Sequence, residues 1–349
     1  MAELFERGAA FVKKIQPEDR VLLVHHNDVD GYCSAAIILA ALGHIKTKNV
    51  ETSVAEVDSL NDVLSKIRPG SFDKIIVVDI DAPALKNKFE RTGAEILIID
   101  HHMIRADLNS ERITYINPRS VDEEIYQPAS YVSYKLLSSF MRIPGKEWLA
   151  ALGTVGDFGF DDCRDILDKY IHANVKDDVT RTGLWDVSKV LFGAIIVASA
   201  GIGGITPEKI LEILEDAEGV EALVADRTIN TASKIFEKEH EKVKKAFWKT
   251  SETKGNVIFG VIDSPFKRMG SVISTEASVG HNGKTIFLLE KRGGRFKVHA
   301  RCQSSCVHLG KFMEKCCHGG GHRHAAGGSI EADEVANFKA RVFRELGVE

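Results

Sequence analysis

The stretch Ile96-Leu97-Ile98-Ile99-Asp100-His101-His102 decides the fold. An apolar run that stops abruptly at one carboxylate and two imidazoles reads as a buried strand of the parallel-sheet kind. In open α/β sheets, ligands bind beyond the carboxyl ends of such strands. An acid and two histidines at that place suit a metal ion or a phosphate better than packing. The pattern recurs. Val21-Leu22-Leu23-Val24 runs into His25-His26-Asn27-Asp28-Val29-Asp30-Gly31, and Lys74-Ile75-Ile76-Val77-Val78 runs into Asp79-Ile80-Asp81. A helical stretch from Trp148 ends in Gly153-Thr154-Val155-Gly156-Asp157, a fourth carboxylate at the end of an element.

The intervening segments alternate. Helical patterns cover Tyr32 to Leu42, Asn61 to Ile67, Leu85 to Thr92 and Ala129 to Met141, and further strands are expected at Val50 to Val57 and Arg112 to Ile116. This predicts an α/β fold with an N-terminal doubly wound, mostly parallel sheet. Residues 1–160 would form the catalytic core. Residues 161–249 would form a helical region, ending in one long charged connector helix from Thr228 to Trp248 with Ile229, Ile235, Val243 and Phe247 as its buried stripe. Residues 250–349 would form a smaller C-terminal α/β domain. Its strands are Val257 to Ile262, Thr285 to Glu290 and Arg295 to Ala300, the last two joined by a hairpin at Gly293-Gly294. Helices at Ser304 to Lys315 and Asp333 to Leu346 complete it.

A chain of 349 residues with 44% hydrophobic and 28% charged residues can bury two ordinary cores. No apolar stretch approaches the roughly 20 residues of a membrane helix. The longest, Val190 to Ile205, is broken by Gly193, Gly201, Gly203 and Gly204 and reads as a core helix with a glycine-rich end. The chain opens as an amphipathic helix without a signal pattern, so a cytoplasmic location and six reduced cysteines are expected. The net charge of -4 is unevenly spread. Residues 1–249 carry -9, residues 250–325 carry +7 and residues 326–349 carry -2. An acidic first part can hold cations, and a basic later segment can hold an anionic substrate.

Crowding Asp28, Asp30, Asp79, Asp100 and Asp157 at one sheet edge would be very unfavourable without cations. Two divalent ions would neutralise them. Alternate residues of an extended segment share a face, so His26, Asp28 and Asp30 can converge, while His25 points away and reads as a packed histidine. A donor set rich in oxygen favours Mn²⁺ or Mg²⁺ over structural Zn²⁺. Asp81 reads as a ligand or as a cap on the next helix. Cys302, Cys306, Cys316, Cys317 and His318 do not match a standard zinc spacing and read as buried thiols.

In the basic segment, Gly319-Gly320-Gly321-His322 can expose backbone N–H groups to an anion, or can simply make a tight turn. With Arg301 and the positive charge of the segment, phosphate or nucleotide binding is the expectation. Phe266, Phe296 and His308 could stack on bases but read as core.

Taken together, these motifs resemble the DHH/DHHA1 phosphoesterase superfamily, which includes RecJ-type exonucleases, nano-RNases, pAp phosphatases and cyclic-dinucleotide phosphodiesterases. Asp100-His101-His102 stands at its naming motif. His26-Asn27-Asp28-Val29-Asp30-Gly31, Val78-Asp79 and Gly156-Asp157 match its other N-terminal motifs. Lys297-Val298-His299-Ala300-Arg301 and Gly319-Gly320-Gly321-His322, followed by Ala325-Ala326-Gly327-Gly328, match the C-terminal ones. The resemblance implies two Mn²⁺ ions, with Mg²⁺ as a substitute. His26, Asp28 and Asp79 would bind one, and Asp30, Asp79, His101 and Asp157 the other, with Asp79 bridging. Asp100 would orient an imidazole, His102 would face the substrate phosphate, and Arg301 would grip a phosphate in bidentate fashion. The implied activity is hydrolysis of single-stranded DNA or RNA or short oligonucleotides, with pAp or a cyclic dinucleotide as the alternative substrate class. A catalytically silent scaffold for replication or repair proteins is a third reading, disfavoured by the intact ligand set. Homo-oligomer formation is left open.

Overall fold

β1 (Arg20–His26), β2 (Asn49–Ala55), β3 (Lys74–Val78), β4 (Glu95–Ile99) and β5 (Ile113–Ile116) form one wholly parallel sheet in the order β2-β1-β3-β4-β5. The structure is a computed structural model and describes residues 1–170, 183–304, 307–317, 319–321 and 323–348. The runs of β1, β3 and β4 are apolar because both faces of the sheet are covered there, while the edge strand β2 is only half buried. Leu22, Val24, Ile75, Val77, Ile96 and Ile98 face one side and pack with Leu60, Leu64 and Phe89 from the helices Val57–Lys66 and Lys86–Arg91. Leu23, Ile76 and Leu97 are one residue out of phase, face the other side and are equally buried. The helices Val29–Ile45 and Ala129–Ser138 cover that face. The doubly wound α/β fold is therefore as the alternation implies.

The chain divides into two compact units, Met1–Ser233 and Lys234–Glu349. The long helix Arg227–Thr250 contains the division. Its buried stripe is Ile229, Ala232, Phe236, Val243 and Phe247. Phe236 takes the place expected for Ile235, since a period of 3.6 from Ile229 and Ala232 selects it. In the helical region, the buried helix Gly183–Ser199 ends just before Gly201, which takes φ +66°, as expected of a core helix with a glycine-rich end. No single described helix is long and apolar enough to cross a membrane.

The second unit carries β6 (Glu252–Lys254), β7 (Val257–Ile262), β8 (Thr285–Arg292), β9 (Arg295–Cys302), β10 (Gly320–Gly321) and β11 (Ala325–Glu331) in the order β10-β11-β9-β8-β7-β6. Its core joins Phe259, Phe287 and Val298 to Met313, Phe338 and Val342. The sequence reading passes over two elements here. The helix Met269–Gly280 is rich in Ser, Thr and Gly, which are weak helix formers. β11 opens Ala-Ala-Gly-Gly-Ser and has Ile330 as its one β-branched residue, yet it pairs antiparallel with β9 from Ala325–Arg301 to Glu331–Arg295. Cys33, Cys163, Cys316 and Cys317 are free thiols.

The glycine-rich run owes its composition to close backbone approach. A Cβ on Gly319 would run into the carbonyl oxygen of Gly327, and a Cβ on Gly328 into the sulfur of Cys317. A carbonyl within a strand pair cannot swing aside. Gly319→Ala should therefore destabilise the protein by about 1–3 kcal/mol, as overpacking does. Urea unfolding measures this, and an unchanged midpoint would contradict the close approach.

Candidate metal centre

Parallel pairing lines up the carboxyl ends of all five strands. His26 at the end of β1 lies in register with Ala55 of β2, His25 with Val78 of β3, Val78 with Ile99 of β4, and Ile99 with Ile116 of β5. The next residues are Glu56, Asp79, Asp100 and Asn117, so a polar side chain leaves the edge at every strand. Asp79 takes φ +63°, a left-handed conformation that costs a non-glycine residue on the order of 1–3 kcal/mol. Its N–H still continues the ladder, donating to the Ile99 carbonyl at 2.9 Å. Asp28 caps the helix Val29–Ile45, accepting the Gly31 N–H at 3.1 Å. Asp30 follows in the first turn of that helix, and Asp157 ends the helix Glu147–Gly156.

Asp79 joins two sets of donors. Its Oδ2 lies 3.4 Å from His26 Nδ1, and that nitrogen is 2.7 Å from Asp28 Oδ2. Its Oδ1 lies 3.1 Å from His101 Nε2, which is 3.4 Å from Asp157 Oδ2. Within each of the sets His26, Asp28, Asp79 and Asp30, His101, Asp157, one donor atom per residue lies within 4.8 Å of the others; Asp79, His101 and His102 make a third such set. Carboxylates and imidazoles packed this closely, with Asp30, Asp79 and His101 almost wholly buried, fit hard divalent cations.

Burial drives the electrostatics. It raises the Asp79 carboxyl to about 7, with the Asp28 charge adding to the shift. It also raises Asp30, helped by the Asp79 charge, and raises Asp157 against the opposing pull of His101. His101 is lowered by burial and by the neighbouring His102. Asp100 and His102 form a different couple, with His102 Nδ1 and Asp100 Oδ1 2.7 Å apart. Burial disfavours both charges, but the pair holds Asp100 well below the usual carboxylate range and lifts His102 to about 10. His102 is thus an imidazolium at neutral pH. His25 is buried, its ring lies edge-on to Tyr32 at 4.6 Å, and burial lowers it to about 4. Asp81 is not the cap of the following turn, whose N-cap is Ala82. It lies 4.0 Å from Arg105 and outside the three donor sets.

Several supporting residues escape the sequence reading. Both oxygens of Asp30 are held by the start of the helix Ala129–Ser138: Ala129 N–H donates at 2.7 Å, Ser130 N–H at 3.0 Å, and the Ser130 hydroxyl adds a third bond. Tyr126 donates its hydroxyl to Asp157 Oδ2 at 2.6 Å. Tyr115 donates to Asp100 at 3.3 Å, and Asn117 fixes Tyr115 at 2.8 Å and the His102 carbonyl at 2.9 Å. Glu56 and Asn117 stand just after strands, so the strand-end rule applied to β2 and β5 would have found them. Tyr126 and Ser130 carry no local signal.

The expected substrate-binding residues belong to the second unit. Arg301 donates to the Thr275 hydroxyl at 3.1 Å, the Ser271 hydroxyl at 3.0 Å and the Ala326 carbonyl at 3.2 Å. Gly319, Gly320 and Gly321 follow the C-terminal end of the helix Leu309–Cys317, and β10 pairs with Ala326 and Gly327 of β11. The adjoining helix end therefore presents carbonyls to this run rather than N–H groups. β11 pairs with β9 and brings Ala325 opposite Arg301. His322, Cys306 and His318 lie outside the described residues.

Metal-free protein should be least stable where these carboxylates ionise. The Asp79 pKa is raised from 3.8 in the unfolded chain to about 7, so the folded state holds this proton more tightly. Stability from this group is greatest below pH 3.8 and declines as pH rises to about 7. With chelator present, the melting temperature of the wild type should fall by on the order of 5 °C more than that of Asp79→Asn between about pH 5 and 7.5. Added Mn²⁺ should reverse the wild-type loss. Parallel pH profiles for the two proteins would contradict the crowding.

The DHH family N-terminal domain model matches residues 20–154, and the DHHA1 domain model matches residues 231–347. Among solved structures, RecJ from Thermus thermophilus in complex with Mn²⁺ superposes with a TM-score of 0.70 at 18% identity, covering 99% of this chain and 54% of that one. The chain thus spans about half the length of that relative. A DHH domain described as a member of the S1p family of ribosomal proteins gives a TM-score of 0.70 at 17% identity, covering 99% and 91%. A pGpG-specific phosphodiesterase, PggH from Vibrio cholerae, gives 0.55 at 13% identity, covering 94% and 99%. The comparison with curated protein sequences returned no match. With both domain models matched in order and the acid–histidine cluster at the sheet edge, the chain belongs to the DHH/DHHA1 superfamily.

Proposed function

We propose that the protein is a Mn²⁺-dependent phosphodiesterase that removes nucleotides from single-stranded DNA or RNA, or degrades short oligonucleotides. The observation that carries this reading is Asp79, whose two oxygens face two separate donor sets. His26, Asp28 and Asp79 would hold one ion, and Asp30, Asp79, His101 and Asp157 the other. Two cations so held supply Lewis-acid polarisation of a phosphoryl oxygen and an acidified water. The remaining work belongs to the chain. Asp100 keeps His102 protonated and fixes its ring through Nδ1, so that Nε2–H can donate to a phosphate oxygen. Ser130 and the start of its helix hold Asp30, and Tyr126 holds Asp157, in place for their set. In the second unit, Arg301 with Ser271 and Thr275 offers a cation and hydroxyls to the nucleotide end. A similar RecJ fold is known with Mn²⁺ and with Mg²⁺, which supports either ion.

A second reading is hydrolysis of a small nucleotide such as pAp or a cyclic dinucleotide. The pGpG-specific enzyme, with near-complete mutual coverage, is named for a linear dinucleotide and so supports the short-oligonucleotide class of the first reading over this one. A panel of pAp, cyclic dinucleotides, linear dinucleotides and longer DNA and RNA strands, each with Mn²⁺, separates the two. The leading proposal predicts mononucleotide release from strands or short oligonucleotides, abolished by Asp79→Ala. Turnover of pAp or a cyclic dinucleotide alone would sink it in favour of the second.

A further inference from the structure

The parallel register of β1 and β2 sets His26 beside Ala55, which puts Glu56 next to the imidazole of a proposed metal ligand. Glu56 Oε2 lies 3.2 Å from His26 Nε2, on the opposite side of the ring from Nδ1, which faces Asp28 and Asp79. A carboxylate only accepts, so the Glu56 contact places a hydrogen on Nε2. In the neutral ring that leaves Nδ1 as the lone pair.

Glu56 is itself held. Its N–H donates to the Ser59 hydroxyl at 2.8 Å, anchoring it at the start of the helix Val57–Lys66. Asn27 Nδ2 donates to Glu56 Oε1 at 3.4 Å, and the Ser199 hydroxyl lies 2.9 Å from Asn27 Oδ1. A chain of polar contacts thus runs from the end of the helix Gly183–Ser199 to the ring of His26. An incidental surface ion pair would not need Asn27, which is 9% exposed.

We propose that Glu56 is the positioning residue of the first ion site, holding His26 Nε2–H so that Nδ1 is committed to the ion shared with Asp28 and Asp79. This rests on the metal-centre reading above. A metal-ligating histidine ordinarily gives its second N–H to such an acceptor, and loss of that acceptor weakens metal binding about 10–100-fold. The Glu56 side chain is 43% exposed, so its replacement should not unfold the protein.

The test is Mn²⁺ titration of chelator-stripped protein, with free Mn²⁺ read by electron paramagnetic resonance and the metal-free melting temperature recorded alongside. Glu56→Ala and Glu56→Met should weaken one of two ions about 10–100-fold and leave the other unchanged, with the metal-free melt lowered alike in both by loss of the Glu56 capping box on the helix Val57–Lys66. Glu56→Gln, which keeps an acceptor oxygen, should retain most of the affinity. Identical isotherms for wild type, Ala and Met would overturn the proposal. So would a Gln variant as weak as Ala, which would assign the effect to charge. A wild type that takes up no Mn²⁺ would remove both this inference and the metal reading beneath it.

Discussion

The structure depends on buried like charge. Asp28, Asp30, Asp79 and Asp157 meet at the carboxyl edge of one parallel sheet, and two of them are almost wholly sealed from water. Coulomb repulsion and desolvation both oppose that arrangement, and the attraction of divalent cations for the carboxylates would offset both. The strands are therefore the frame of an ion site. Their apolar runs are buried on both faces, which fixes the register, and the register places the acids.

The surrounding backbone accommodates the site at several points. Asp79 adopts a left-handed conformation. Gly31 gives way to the His26 carbonyl, where a Cβ would collide, and a Cβ on Gly153 would run into the Ser130 hydroxyl beside Asp30. Around the acids, hydrogen-bond donors come from outside the sheet: the start of the helix Ala129–Ser138 for Asp30, and Tyr126 for Asp157. Asp100 and His102 stand apart electrostatically. They neutralise each other and leave a fixed imidazolium beside the acid cluster, a suitable partner for a phosphate oxygen.

Much of this was legible in the sequence, because it follows from short-range pattern. Ile96 to Ile99 reads as a strand buried on both faces, which sets Asp100 to His102 at its carboxyl end, and both are so in the structure. The alternation of strands and helices set the sheet class for the same reason. Tyr126 and Ser130 were not legible, since they reach Asp157 and Asp30 across 31 and 100 residues. Glu56 was within reach but lay beyond a strand that is only half buried and carried a weak signal. β11 and the helix Met269–Gly280 were missed because small residues, which permit their close packing, carry little propensity. The close approach of the glycine-rich run to β11 was not legible either, since a glycine required by a neighbouring carbonyl looks the same in sequence as one that exposes its N–H to a ligand.

The central claim is that Asp79 is a bridge between two ions. Anomalous diffraction from crystals grown with Mn²⁺ tests it most directly. The account predicts two peaks about 3.5–4 Å apart, one against His26 and Asp28, the other against His101 and Asp157, with Asp79 between them. A single peak, or two peaks with Asp79 touching neither or only one, would contradict it.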